Sequence, residues 1–159
     1  MSELIKKLRI YIDTSVIGGC FDIEFMDWPN KLFDEFREGI KIAVISDITL
    51  DEISFARLEV QQKLKTIPEK NKEYLLYDEN AENLAEQYIN EKAVTRKYYE
   101  DALHIAIATI NNVDVLVSWN FKHIVNLDRI RKYNSVNLKH GYQTLEIRNP
   151  REILSEGKL

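Results

Sequence analysis

Apolar positions along this chain repeat with two periods, one of strands and one of helices. "LRIYID" (8–13) alternates and is β-branched enough for a strand, while "IKIAVIS" (40–46) and "DVLVSW" (114–119) are short, nearly continuous apolar runs. Such runs suit parallel strands covered on both faces. "EYLLYD" (73–78) and "YQTLEI" (142–147) read as two further strands, the last at an edge. Between them lie helical patterns. In "DWPNKLFDEFREG" (27–39), Pro29 suits a first turn, Leu32, Phe33 and Phe36 make one face, and Gly39 fits the stop. Residues 49–67 are helical with a break near the middle, 79–93 form an amphipathic helix, and 124–136 another. The segment 98–113 is apolar almost all round after its first turn, which predicts a deeply buried helix. Strands alternating with helices predict an α/β layer sandwich around a mostly parallel sheet. In such sheets the functional crevice lies beyond the carboxyl ends of the strands.

The 159 residues are expected to form a single domain over 1–159. Five glycines and three prolines leave little room for flexible linkers. Cys20 is the only cysteine, so no intrachain disulfide can form and a reducing, cytoplasmic setting is expected. No leader and no apolar run long enough to span a bilayer is read in the chain, so no membrane partner is expected. The charge is 22 − 26 = −4, which argues against a passive nucleic-acid binder. It leaves open an enzyme on nucleic acid whose acidic site holds cations against the phosphates.

Three acids stand where such a site would form. Asp13 ends the first strand, Glu52 lies in "TLDE" (49–52) after the second, and Asp101 opens the buried helix. Each has a structural reading of its own: Asp13 as the N-cap of a short helix, Thr49 and Glu52 as a capping box, Asp101 as a first-turn acid on the helix dipole. Together they would repel one another at several kcal/mol in a low dielectric. A divalent cation resolves that conflict, and hard oxygen ligands select Mg²⁺ or Mn²⁺. Asn120, in "SWNFKHI" (118–124), offers a carbonyl oxygen to the metal directly or through water, or serves as a turn residue bonding its own backbone. His104, one turn after Asp101, is placed to orient a carboxylate, and His123 to pair with phosphate or act as an acid, or both are structural. One cysteine and three scattered histidines give no zinc spacing. No phosphate-cradling glycine loop and no nucleophile elbow is present.

These motifs resemble the PIN-domain family of metal-dependent ribonucleases: "IYIDTSVI" its first motif, "SDITLDEI" its second, "DALHIAIA" its third and "VLVSWNFKHI" its fourth. The likeness runs from about residue 8 to 125, and the "SWNFKHIVN" version with the tail "GYQTLEIRNPREIL" looks like one branch of that family. It implies a PIN-like three-layer α/β/α sandwich, with Asp13, Glu52 and Asp101 as acidic metal-binding and catalytic residues. Asn120 stands where many members have a further aspartate. Three carboxylates leave one negative charge after neutralising one Mg²⁺, so one well-held ion is expected, any second arriving with the RNA phosphate. Ser15 resembles the small hydroxyl beside the first acid, with Thr14 next to it.

The resemblance implies hydrolysis of RNA phosphodiester bonds, as in VapC-like toxins that a small antitoxin blocks, and a homodimer. Basic residues that would track RNA are Arg96 and Lys97 ahead of Asp101, and Lys122, Arg129, Arg131 and Lys132 near the fourth motif; a solvated charged face is the alternative. A PIN-like module that binds RNA or a protein without catalysis is the rival reading, motivated by Asn120. Phosphotransfer on an α/β sheet ranks last, because "IDTSV" carries a single acid at the strand end.

Overall fold

Five parallel strands carry the core of this computed structural model, which describes residues 6–155. They are β1 (Arg9–Ile12), β2 (Ile42–Ser46), β3 (Lys72–Leu75), β4 (Val115–Val117) and β5 (Glu146–Arg148), in the order β3-β2-β1-β4-β5. Every neighbouring pair is parallel, so the sheet is more uniform than the mostly parallel one expected. The domain expected over 1–159 extends at residues 1–5 and 156–159 outside the described residues.

Among the described residues seven α-helices flank the sheet: α1 (Thr14–Gly19), α2 (Asp27–Arg37), α3 (Asp47–Ile53), α4 (Leu58–Lys63), α5 (Glu79–Asn90), α6 (Tyr99–Ile110) and α7 (Leu127–Lys139). Alternation along each strand sorts them into two layers. Ile10, Ile12, Ala43, Ile45, Val115 and Val117 face α1 to α4, packing on Val16, Phe33, Phe36 and Val60. Tyr11, Val44, Leu116 and Ile147 face α5 to α7. The result is the three-layer α/β/α sandwich. Helix α6 is buried from Ala102 to Thr109, as its all-round apolar pattern predicts, because it packs between α5 and the sheet.

Local chemistry sets the helix ends. Gly39 adopts φ +75°, so the backbone turns back and Ile40 N–H reaches the Glu35 carbonyl at 2.9 Å to close α2. Asp78 caps α5 and Asn126 caps α7, each accepting from the N–H three residues on. The helical stretch predicted over 49–67 divides into α3 and α4, with the break at 54–57. The last strand is three residues at the sheet edge rather than 142–147, and α7 runs later than the predicted 124–136.

The chain leaves β1 toward β2 and β3, then crosses to β4 on the other side. The sheet order therefore reverses between β1 and β4, and such a switch point opens a crevice at the carboxyl ends of the strands.

Candidate functional site

Register alone places Asp13 against Ser118. Ile12 pairs with Val117 across β1 and β4, so the next residue of each strand leaves the sheet beside the other. Ser118 Oγ donates to Asp13 Oδ2 at 2.5 Å, and Ser15 Oγ donates to Asp13 Oδ1 at 2.5 Å. The Val16 N–H adds a third bond to Oδ1 at 3.2 Å, so Asp13 is also the N-cap of α1. Asp13 is buried. Burial pushes its pKa up, against the charge of His104 and the bonds from Ser118 and Ser15, and the net shift is upward.

The capping-box reading of Thr49 and Glu52 does not hold. Helix α3 begins two residues earlier, and Ser46 caps it by accepting from the Thr49 N–H at 3.3 Å. That frees Glu52 to cross to α6, where its Oε1 meets His104 Nε2 at 2.5 Å. His104 Nδ1 lies 2.6 Å from the Tyr11 hydroxyl, which is 2.7 Å from Ser46 Oγ. The carboxylate that His104 holds is thus Glu52, from the opposite helical layer, rather than Asp101 on its own helix. Burial opposes the imidazolium, yet Tyr11, Glu52 and Asp13 together raise the His104 pKa well above its ordinary value. Burial likewise opposes the Glu52 carboxylate, and the His104 bond and charge outweigh it, so that pKa is lowered. The two shifts agree on an ion pair.

Asp101 sits in the first turn of α6 and is half-buried. Burial, opposed by His104 and reinforced by the charges of Asp13 and Glu52, pushes its pKa up to about 6. Asn120 Nδ2 donates to Asp101 Oδ2 at 3.2 Å, and the Asn120 backbone N–H donates to Ser118 Oγ at 2.9 Å. Asn120 Oδ1 accepts the His123 N–H at 3.0 Å, the turn geometry that its sequence also allowed. Asp13, Ser118, Asn120 and Asp101 are therefore one hydrogen-bonded chain across the switch point.

The His123 ring lies outside that chain, stacked on Tyr98 with centroids 3.5 Å apart. Burial lowers its pKa, and so do Lys122, Arg129 and Lys97 around it. The basic residues have separate commitments. Arg96 forks onto Glu86, Arg129 donates to the Ala93 carbonyl and Lys132 pairs with Asp128. Lys122 and Arg131 make no ion pair among the described residues.

No three His, Cys, Asp or Glu side chains among the described residues form a ready-made cage for a metal ion. The donors nevertheless fit a hard cation in kind. The charges of Asp13 and Glu52 both act on Asp101, and the buried Thr14 hydroxyl lies beside Glu52. Mg²⁺ keeps several of its waters and is commonly held by one or two carboxylates plus substrate phosphate.

Sequence reasoning did not single out Ser118 or Tyr11. Ser118 carried a usable signal, since it ends an apolar strand as Asp13 does. Tyr11 carried none, because its partners Ser46 and His104 come from β2 and α6.

No protein-family model matches the chain, and no curated protein matches it in sequence. Among solved structures, it is similar to a chain of VapBC2 from Rickettsia felis bound to a DNA fragment from their promoter, with a TM-score of 0.57 and 16% identity over 89% of this chain and 98% of that one. That likeness concerns the fold alone, a PIN-like α/β/α sandwich. No helix among the described residues is long and apolar enough to cross a membrane.

Proposed function

We propose that this protein is a Mg²⁺- or Mn²⁺-dependent ribonuclease, the toxin-like component of a toxin–antitoxin pair. The observation that carries the reading is the gathering of three acids at the carboxyl ends of the strands, with Asp13 and Asp101 bridged by Ser118 and Asn120 and Glu52 held by His104. Surplus negative charge gathered at a switch point is a poor way to stabilise a fold and a good way to hold a cation.

Asp13 and Asp101 would hold the ion, with Glu52 and, directly or through water, Asn120 beside it. Bound there, the ion would supply positive charge to the phosphate and acidify a water. Ser15, Ser118 and the Val16 N–H fix both oxygens of Asp13, so the carboxylate is oriented before any ligand arrives. His104 holds Glu52 and offsets part of the negative charge. Lys97, Lys122 and Arg129 lie around His123, on the Asn120 side of the site, where they would meet the RNA backbone.

The PIN-like fold shared with a VapBC2 chain supports a small antitoxin as partner. A homodimer belongs to the same proposal, and the exposed side chains of Phe55 and Leu58 offer apolar surface for a second copy. The rival reading, a non-catalytic RNA- or protein-binding module, is favoured by Asn120, whose Oδ1 is already taken by the His123 N–H.

Cleavage of a mixed RNA pool with Mg²⁺, Mn²⁺ or EDTA tests the proposal, with wild type and Asp101→Asn purified identically. Metal-dependent cleavage by wild type alone supports the nuclease. Equal cleavage by both proteins removes the assigned site, and no cleavage with retained RNA binding favours the module.

A further inference from the structure

A cavity of about 430 Å³ opens beside Asp13, with Ser15, Gly19, Asp22, Phe25, Trp119 and Phe121 in its wall. That volume lies in the range of small-molecule sites. Three of the wall residues are aromatic and adjacent. Phe25 and Trp119 have ring centroids 5.6 Å apart, and Trp119 and Phe121 5.7 Å apart.

Trp119 is fixed from two sides. Its backbone N–H donates to Ser15 Oγ at 3.0 Å, and its indole lies so close to Gly19 that an added Cβ would stand 2.8 Å from the ring. Phe25 and Phe121 are 43% and 50% exposed, so the rings flanking the indole meet solvent. Ser15 belongs to both places, since it lines the cavity and donates to Asp13 Oδ1.

We propose that this cavity is a stacking pocket for one unpaired base of single-stranded RNA, the base next to the phosphate held at the carboxylates. The placement of that phosphate rests on the ribonuclease reading; the pocket itself does not. An aromatic wall receives the face of any base, and stacking of this kind is how proteins hold splayed-out bases of single strands. Charge decides which part of the nucleotide enters. Asp22 in the wall repels phosphate, whereas a neutral base meets mainly aromatic rings there. Paired bases in a duplex keep their faces stacked and cannot enter.

The test is binding in EDTA, where metal-dependent cleavage is off. Tryptophan fluorescence is followed in Trp28→Phe protein, so that Trp119 is the only indole, while a short mixed-sequence oligoribonucleotide is added. Saturable quenching is expected, with affinity lowered on the order of 5- to 100-fold by Phe25→Ala or Phe121→Ala and kept by Phe121→Trp. Gly19→Ala, which drives a methyl into the indole, is expected to weaken binding as well. The same strand annealed to its complement should bind much more weakly. Alanine variants that bind like wild type, a duplex that binds as tightly, or an indole that RNA does not quench would each overturn the proposal and leave the aromatic face to a protein. Stacking-dependent binding without cleavage under any metal would remove the nuclease and keep the pocket. Cleavage with unaltered binding by the alanine variants would do the reverse.

Discussion

Asn120 holds Asp101 by a single bond, from its amide Nδ2 to Oδ2 at 3.2 Å, while its own Oδ1 accepts the His123 N–H. One side chain thus closes a turn and steadies a carboxylate that its neighbours destabilise. Replacing it by aspartate would keep the turn acceptor and turn the donor into a further negative charge. In EDTA, Asn120→Asp is expected to lose about 1–2 kcal/mol of stability, because a partly exposed bond to a charged group is lost and repulsion replaces it. Mn²⁺ should restore most of that loss, more than it stabilises wild type. Thermal unfolding with and without Mn²⁺ measures both, and an unchanged melting temperature in EDTA would contradict the electrostatic account of the site.

Asp101→Asn should abolish cleavage and, without metal, stabilise the protein on the order of 1 kcal/mol once solvent screening of the half-exposed group is allowed for. The sign follows from titration. The folded-state pKa of Asp101, about 6, lies above its ordinary 3.8, so the folded protein binds this proton more tightly. The stabilisation it contributes is full below about 3.8 and lost as pH rises through about 6. The advantage of the variant should therefore be seen at pH 8 and shrink toward pH 4. Urea unfolding at the two pH values in EDTA measures it.

Ser118→Ala removes the donor to Asp13 Oδ2 and the acceptor of the Asn120 N–H together. The loss leaves a buried carboxylate short of one partner, at a cost of about 1–3 kcal/mol. The Asp13 pKa should rise further, since one of the bonds opposing burial is gone. Denaturant unfolding gives the cost. A fully stable variant would mean that Ser15 and Val16 suffice to hold Asp13.

Glu52→Gln turns the ion pair with His104 into a neutral contact at a cost of about 1.5–3 kcal/mol. The Glu52 pKa is lowered, so its share of the stability is present above its ordinary 4.5 and lost as pH falls through the folded value. The His104 pKa is raised, so its share is present below 6.5 and lost as pH rises through the folded value. The gap between wild type and variant should be widest between those limits. NMR titration of the His104 ring should show its pKa falling in the variant, and a gap that ignores pH would rule out the ion pair.

Much of this protein can be read from its sequence, for identifiable reasons. The two-sided apolar strands, the buried character of α6, the stop at Gly39 and the N-cap at Asp13 follow from properties of a few consecutive residues. So does the position of Asp13 past the end of a strand. What Glu52 does could not be read so. "TLDE" satisfies a local capping rule, but the choice between capping and reaching His104 depends on α6 lying opposite α3, which no local pattern encodes. The same holds for Ser118, which becomes the partner of Asp13 only when β4 pairs with β1, and for the three rings drawn from the α1–α2 connection and the loop after β4. Short-range sequence determines where each element begins, ends and buries its apolar face. Which polar ends meet is decided by strand order and register, because those alone bring residues a hundred positions apart within hydrogen-bonding distance.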